Sequence, residues 1–344
     1  MKRRRCSIRA RKNHTSRASS PSDVPVTSRK GFCMRLGFFT DYSESVAAFA
    51  HRTGFTSLQL SAWPQSALNA DTITDARIAE IKRDLDAKNI EISAIGYYPN
   101  VLSEDADAAK EAQRYLKQVV RLAHRMEVGV VATFAGRRKS RPVHESFAPF
   151  REVFSGVMDL AESEGVKVAI ENCPMHDFMT GTGENIAYSP ELWDEIFKLV
   201  PSDNLGLEFD PSHCIWLHID YIAAVREYAK KIFHVHAKDL EIRRDILSRV
   251  SVLGSATTFQ GHVMAHGWPR ARTPGWGEVD WPKFITALYD SGYRGNLDIE
   301  HEDDVFANTA AFTEHQSEAD VVGNYGRDEL GLTLGYKTLS RYLA

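Results

Sequence analysis

Leu205-Gly-Leu-Glu-Phe-Asp210-Pro-Ser-His213 opens with a short apolar run, free of internal proline, that ends on a carboxylate. A run of this length and composition reads as a strand buried on both faces. Seven more lie outward from it, at Met34–Phe39, Thr56–Ser61, Ile90–Gly96, Val128–Phe134, Val166–Asn172, Ile232–Ala237 and Gly295–Glu300. Amphipathic stretches fill the intervals. The clearest, Asp107–Arg125, puts Ala109, Ala112, Leu116, Val119 and Ala123 on one stripe and Lys and Arg on the other side. Gly54, Gly129, Gly165 and Gly292 fall where helical patterns give way to strands, as C-caps do, and Ser189-Pro190 and Asp280-Trp281-Pro282 read as helix starts. Eight βα units with right-handed crossovers predict an α/β fold, a closed (β/α)8 TIM barrel over residues 34–344; an open doubly wound sheet is the competing arrangement.

Length and composition agree with one such domain. Of 344 residues, 43% are apolar and 26% charged, enough for a large core and too apolar for a disordered chain. No apolar run approaches the ~18 residues of a membrane span, and no apolar segment follows the basic start as a secretion signal requires. Residues 1–33 hold ten Lys or Arg against Asp23 alone, so the net charge of −4 conceals about −13 from Met34 onward. That segment reads as a disordered basic extension, and the acidic body argues against a nucleic-acid groove. Cys6, Cys33, Cys173 and Cys214 form no metal-site or disulfide spacing, so a reducing cytoplasm is the expected location. Two long intervals, residues 238–280 and the stretch between the eighth strand and a last helix expected near Val321, fall on the catalytic face of a barrel and read as lid or binding loops.

Strands five to eight end in Glu171, Asp210, His236 and Glu300. In a barrel these ends converge on one pocket. Asp, Glu and His make up about one residue in six, so four consecutive hits in two-residue windows arise by chance about once in a hundred. Three focused carboxylates repel one another unless a cation neutralises them, and three oxygens with one imidazole suit Mn²⁺, Mg²⁺ or Co²⁺ better than a structural Zn²⁺ site. His234 and Asp298, two residues before a ligand, share its side of the strand, with core packing the simpler reading for His234. Trp63, Tyr97, Tyr98 and Phe134 at the second to fourth strand ends read as a wall for a sugar ring.

Ala-Ile-Glu171-Asn172, Asp210-Pro-Ser-His213, His234-Val-His236-Ala-Lys238-Asp239, Thr273-Pro-Gly275-Trp-Gly277-Glu-Val-Asp280-Trp281 and Asp298-Ile-Glu300-His-Glu together resemble the sugar-phosphate isomerase/epimerase superfamily, the xylose-isomerase-like barrels. The resemblance implies one divalent cation, usually Mn²⁺, on Glu171, Asp210, His236 and Glu300, in front of a keto-sugar or polyol, with His213 touching substrate or ligands. The cation would polarise a carbonyl while Glu171 and Glu300 act as base and acid on either face of the carbon, giving epimerisation or isomerisation through an enediolate. Lys238 is the residue expected at the oxyanion. His262, His266, Arg270 and Arg272 in the long seventh loop, with His176 after the fifth strand, are expected to contact carbohydrate, and Arg137 and Arg138 join Arg270 and Arg272 as phosphate clamps. A long loop here is also similar to barrel subunits that act on 3-oxo-glycosides, where the same proton removal leads to β-elimination and a small second subunit is often recruited. Homo-oligomers are expected from the same likeness. A barrel kept only to bind sugar is the non-catalytic alternative. The zinc endonucleases for abasic DNA that share this barrel need extra histidines at earlier strand ends, and Ser61-Ala-Trp63, Gly96-Tyr-Tyr98 and Phe134-Ala-Gly136 supply none.

Overall fold

The computed structural model describes residues 34–178, 180–253, 267–306 and 329–343. The basic extension 1–33, His262, His266 and Val321 lie outside these residues. Eight strands, β1 (Arg35–Thr40), β2 (Ser57–Ser61), β3 (Glu91–Gly96), β4 (Val130–Thr133), β5 (Lys167–Glu171), β6 (Leu205–Phe209), β7 (Ile232–His236) and β8 (Asn296–Ile299), are all parallel. They close in chain order into a barrel, β8 pairing with β1, which excludes the open sheet. Each run read as a strand is one, with ends shifted by no more than two residues.

Helices cover the barrel because their apolar stripes need the sheet. The longest, Ala106–Met126, buries all five stripe residues and adds Tyr115, Val120, Leu122 and Met126. Asp105 caps it by accepting from the Asp107 and Ala108 N–H groups at 3.1 and 3.0 Å. It closes on Glu127 at φ 59°, not on Gly129; a non-glycine residue takes the left-handed cap two positions early. Ser189 and Asp280 stand at helix N-caps as expected. The last described helix is Glu329–Leu339.

The long seventh loop has structure at both ends. Asp239–Ile242 pairs antiparallel with Pro269–Arg272, and Arg244–Val250 is helical. Leu240, Ile242 and Trp268 from this insertion bury against Phe178 and Trp216, a second apolar cluster beside the barrel mouth. No helix among the described residues is long and apolar enough to cross a membrane.

Candidate metal centre

Glu171 and His236 are the last residues of β5 and β7, and Asp210 and Glu300 are the first residues past β6 and β8. One ligand atom from each lies within 4.8 Å of the others. Asp210 is aimed by its backbone: its N–H donates to Asn172 Oδ1 at 2.7 Å, its carbonyl accepts from Asn172 Nδ2 at 2.9 Å, and its Oδ1 accepts from the Ser212 N–H at 2.8 Å. Oδ2 is thereby left pointing at the cluster. It is buried and accepts no hydrogen bond, and His213 Nε2, 3.4 Å away, is likewise buried and donates none.

Beneath the cluster a polar layer orients His236. Its Nε2 lies 2.6 Å from Gln59 Oε1, while Gln59 Nε2 donates to Glu208 Oε1 at 2.7 Å and to Tyr98 OH at 2.6 Å. Tyr98 OH donates onward to Glu208 Oε2 at 2.7 Å. With both amide hydrogens committed, Gln59 accepts from His236, so Nε2 carries a proton. Nδ1, 3.1 Å from Glu171 Oε1 and 3.4 Å from Glu300 Oε2, is the nitrogen that faces the ligand cluster. The strand register shifts at Leu58/Gln59 and at Leu207/Glu208, irregularities that re-aim side chains beside such sites. One step deeper, His234 bridges Glu208 at 2.9 Å and Asp298 at 2.8 Å, and Asp298 also accepts from Ser57 at 2.8 Å and from Ser93. Gly37 on β1 leaves the room: a Cβ there would fall 2.1 Å from Asp298 Oδ1. Replacing Gln59 with Leu is expected to weaken divalent-cation binding at this cluster about 10–100-fold in calorimetric titration; an unaltered affinity would show that Gln59 does not orient His236.

Lys238 partly balances the acids. Its Nζ is 2.5 Å from Glu300, 3.2 Å from Asp210 and 3.2 Å from Glu302. Burial opposes its charge, and Glu300, Glu302, Asp210 and Glu171 more than restore it, so its pKa is held well above that of a free lysine. Burial and Glu300 push Glu171 up, but the imidazoles of His213, 3.8 Å away, and His236 prevail and bring it down to about 2. Burial likewise raises Glu300, and Lys238 and His236 pull it far below the ordinary carboxylate range. His236 is raised against its burial by Glu208 and Glu300. Three carboxylates around one ammonium, with Asp210 Oδ2 accepting no hydrogen bond and meeting Lys238 as an ion pair at 3.2 Å, fit a divalent cation held by Glu171, Asp210, His236 and Glu300.

A closed eight-stranded barrel with this centre on β5–β8 agrees with the family model described as xylose isomerase-like TIM barrel, which matches residues 47–321. The chain belongs to that family. Among curated proteins it is similar to the uncharacterized protein YfiH of Bacillus subtilis (strain 168), 25% identical over 304 residues, 78% of this chain and 93% of YfiH. It is also similar to inosose dehydratase of Clostridium perfringens (strain 13 / Type A), 28% identical over 152 residues, 42% of this chain and 43% of that protein. Among solved structures, an L-ribulose 3-epimerase superimposes with a TM-score of 0.58 at 20% identity, covering 90% of this chain and 96% of that one. The IOLI protein with a bound zinc atom gives 0.61 at 16% identity, covering 90% and 100%.

The remaining predicted contacts divide within this xylose isomerase-like barrel. Trp63 and Tyr97 pack on each other at 4.8 Å, and Tyr97 on Tyr115 at 4.9 Å, within the helix-facing core. The rings beside His236 are Phe39 at 6.0 Å and Tyr98 at 6.4 Å, with Phe134 behind Tyr98 at 5.2 Å. His176 stacks edge-on against Phe178 at 4.6 Å and lies 6.0 Å from Trp216, whose indole N–H donates to His213 Nδ1 at 3.4 Å. Arg272 is engaged by Asp303 at 3.0 Å and Glu241 at 2.6 Å, and Arg270 by Asp304 at 2.7 Å. Gln59, Glu208 and Phe39 were not singled out in the sequence. Glu208 carries the same signal as His234 and Asp298, two residues before a ligand on an inward-facing strand.

Proposed function

We propose that this chain is a divalent-cation-dependent isomerase or epimerase of a keto-sugar or related polyol, removing a proton from the carbon beside a carbonyl and returning it through an enediolate. One observation carries the reading: Glu171 and Glu300, both ionised and held on β5 and β8, converge on one cluster that also holds a buried ammonium. When bound, a cation on Glu171, Asp210, His236 and Glu300, Mn²⁺ by preference, supplies Lewis acidity toward the carbonyl and its neighbouring hydroxyl. Two carboxylates on separate strands can serve as proton acceptor on one face of the carbon and donor on the other. Lys238 stands 2.5 Å from Glu300, placed to donate to oxygen that gains negative charge as the proton leaves. His213 Nε2, a buried donor without an acceptor, is available to a substrate hydroxyl. Phe39, Tyr98 and Phe134 form an apolar wall that keeps water from the reacting carbon.

The same proton removal followed by loss of a β-substituent is the second reading, a lyase acting on a keto-cyclitol or 3-oxo-glycoside; the relative named inosose dehydratase favours it. Turnover in D₂O separates the two. Isomerase or epimerase action incorporates solvent deuterium beside the carbonyl of recovered sugar and is lost on chelation. Lyase action instead yields an unsaturated ketone and a released water or aglycone. Neither outcome across keto-hexoses, keto-cyclitols and 3-oxo-glycosides, with Mn²⁺ supplied, overturns both.

A further inference from the structure

The acids of the ligand cluster, with Glu302, lie on one side of the barrel mouth. Glu171, Asp210, Glu300 and Glu302 follow β5, β6 and β8, whereas Phe134-Ala-Gly-Arg137-Arg138, leaving β4, has none. This β4 loop is braced. The Arg137 N–H donates to Asn100 Oδ1 at 2.9 Å and its carbonyl accepts from Asn100 Nδ2 at 2.9 Å. Asn185 ties the loop to the ligand strand, accepting from the Ala135 N–H at 3.0 Å while donating to the Glu171 carbonyl at 2.9 Å and the Cys173 carbonyl at 2.7 Å.

From this anchored backbone the Arg137 side chain emerges half-buried, with Nε sealed from solvent and without an acceptor. Four guanidinium groups among the described residues are not exposed. Arg270 and Arg272 are engaged by Asp304, Asp303 and Glu241, and Arg243 by the Gly267 carbonyl. Arg137 alone of the four has no polar partner. A charged donor taken out of water without an acceptor is unfavourable, and such an arrangement is typical of a group whose acceptor arrives with a ligand. Arg137 also contributes, after burial and against Asp177, to keeping His176 below the usual histidine pKa, which places its charge beside the mouth. From His176 the mouth continues through Trp216 to His213 and Asp210.

Nε–H and the Nη–H on the same edge of a guanidinium form a two-pronged donor matched to the two oxygens of a carboxylate. We propose that Arg137 receives a carboxylate of the substrate, so that the sugar processed at the neighbouring centre is a keto-sugar acid. This rests on the keto-sugar reading above and names its substrate class.

The test is calorimetric titration of the full chain loaded with Mn²⁺. The acidic probes are 5-keto-D-gluconate, 2-keto-D-gluconate and D-glucuronate, set against D-fructose as the neutral probe and D-fructose 6-phosphate as the phosphorylated one. At least one acid is expected to bind roughly tenfold or more tightly than D-fructose, the scale of one charge-assisted two-pronged contact. Arg137→Gln abolishes that preference while leaving the D-fructose affinity in place. Arg137→Lys recovers only part of it, and Arg138→Gln, altering the exposed neighbour, preserves it. Equal binding of acids and D-fructose by the wild type, binding of none of the acids, or a preference that survives Arg137→Gln would overturn the assignment; so would a preference for the phosphate. The same samples in D₂O keep the two proposals apart. Acid preference without deuterium entry leaves Arg137 standing and removes the isomerase reading, whereas deuterium entry without acid preference does the reverse.

Discussion

Glu300→Gln lowers the rate of solvent deuterium entry beside the substrate carbonyl by about 10³-fold, the scale of losing one proton-transfer group. Glu300 is the most accessible of the four cluster residues, its side chain 14% exposed against 4% or less for the others, so it stands nearest an arriving sugar. Glutamine keeps the shape and removes the basicity. The fold is not at risk, because Lys238 retains Asp210 and Glu302, each at 3.2 Å. The thermal midpoint should therefore move by no more than about 2–4 °C, the shift that roughly 1 kcal/mol produces in a domain of this class. Glu302→Gln removes a carboxylate that also holds Lys238 and, outside the proton-transfer step, should cost about tenfold or less. A Glu300→Gln protein keeping more than a tenth of wild-type exchange would take Glu300 out of the chemistry, and equal losses from both substitutions would assign the effect to Lys238.

The barrel was legible because its strands are buried on both faces, and a continuous apolar run bounded by helical patterns has few other interpretations. Glu171, Asp210, His236 and Glu300 were legible for a related reason: a charged residue ending such a run has to go where the barrel opens. What lies below them was harder to see. Gln59 sits inside the run Ser57–Ser61, where one polar residue in a strand gives no hint of its partner, and its tie to His236 spans 177 positions of sequence. Glu208 is a lone charge inside the apolar run Leu205–Phe209. Its inward direction follows only once Asp210 is recognised as a ligand and the two-residue period is applied backwards. Of the rings expected to form the aromatic wall, Tyr97 and Tyr98 are adjacent, so they face opposite sides of β3's continuation: Tyr98 meets His236, while Tyr97 packs on Tyr115. Arg272 sits on a hairpin whose pairing across residues 239–272 is too long-range for local pattern, and its charge is met by Asp303 and Glu241.

Asp239→Asn is expected to destabilise the protein by about 3–5 kcal/mol, the cost of breaking a buried charged hydrogen-bond hub. Asp239 follows Lys238 directly and is fully buried. Its Oδ1 accepts from the Leu240 and Val279 N–H groups, both at 2.9 Å, and its Oδ2 from the Gly275 N–H at 2.8 Å and Trp281 Nε1 at 2.9 Å. All four lone-pair sites are thus used to fold Thr273-Pro-Gly-Trp-Gly277 back onto the strand end that carries Lys238. Gly277 belongs to the same arrangement, since a Cβ there would fall 2.3 Å from Asp239 Oδ1. The Pro274-Gly-Trp-Gly277 stretch is therefore scaffold for the Lys238 ammonium and does not itself hold the cluster. Asparagine would turn an NH₂ group toward two of these donors and leave both without an acceptor. The thermal midpoint should fall by roughly 6–20 °C, at about 2–4 °C per kcal/mol for a domain of this class. Lys238 would be less well placed at normal folding temperatures, so exchange activity per folded molecule should also drop. A midpoint within about 2 °C of wild type, well under the shift that losing such a hub implies, would mean that the loop is held by its apolar contacts instead, and Lys238 would then owe its position to Glu300, Glu302 and Asp210 alone.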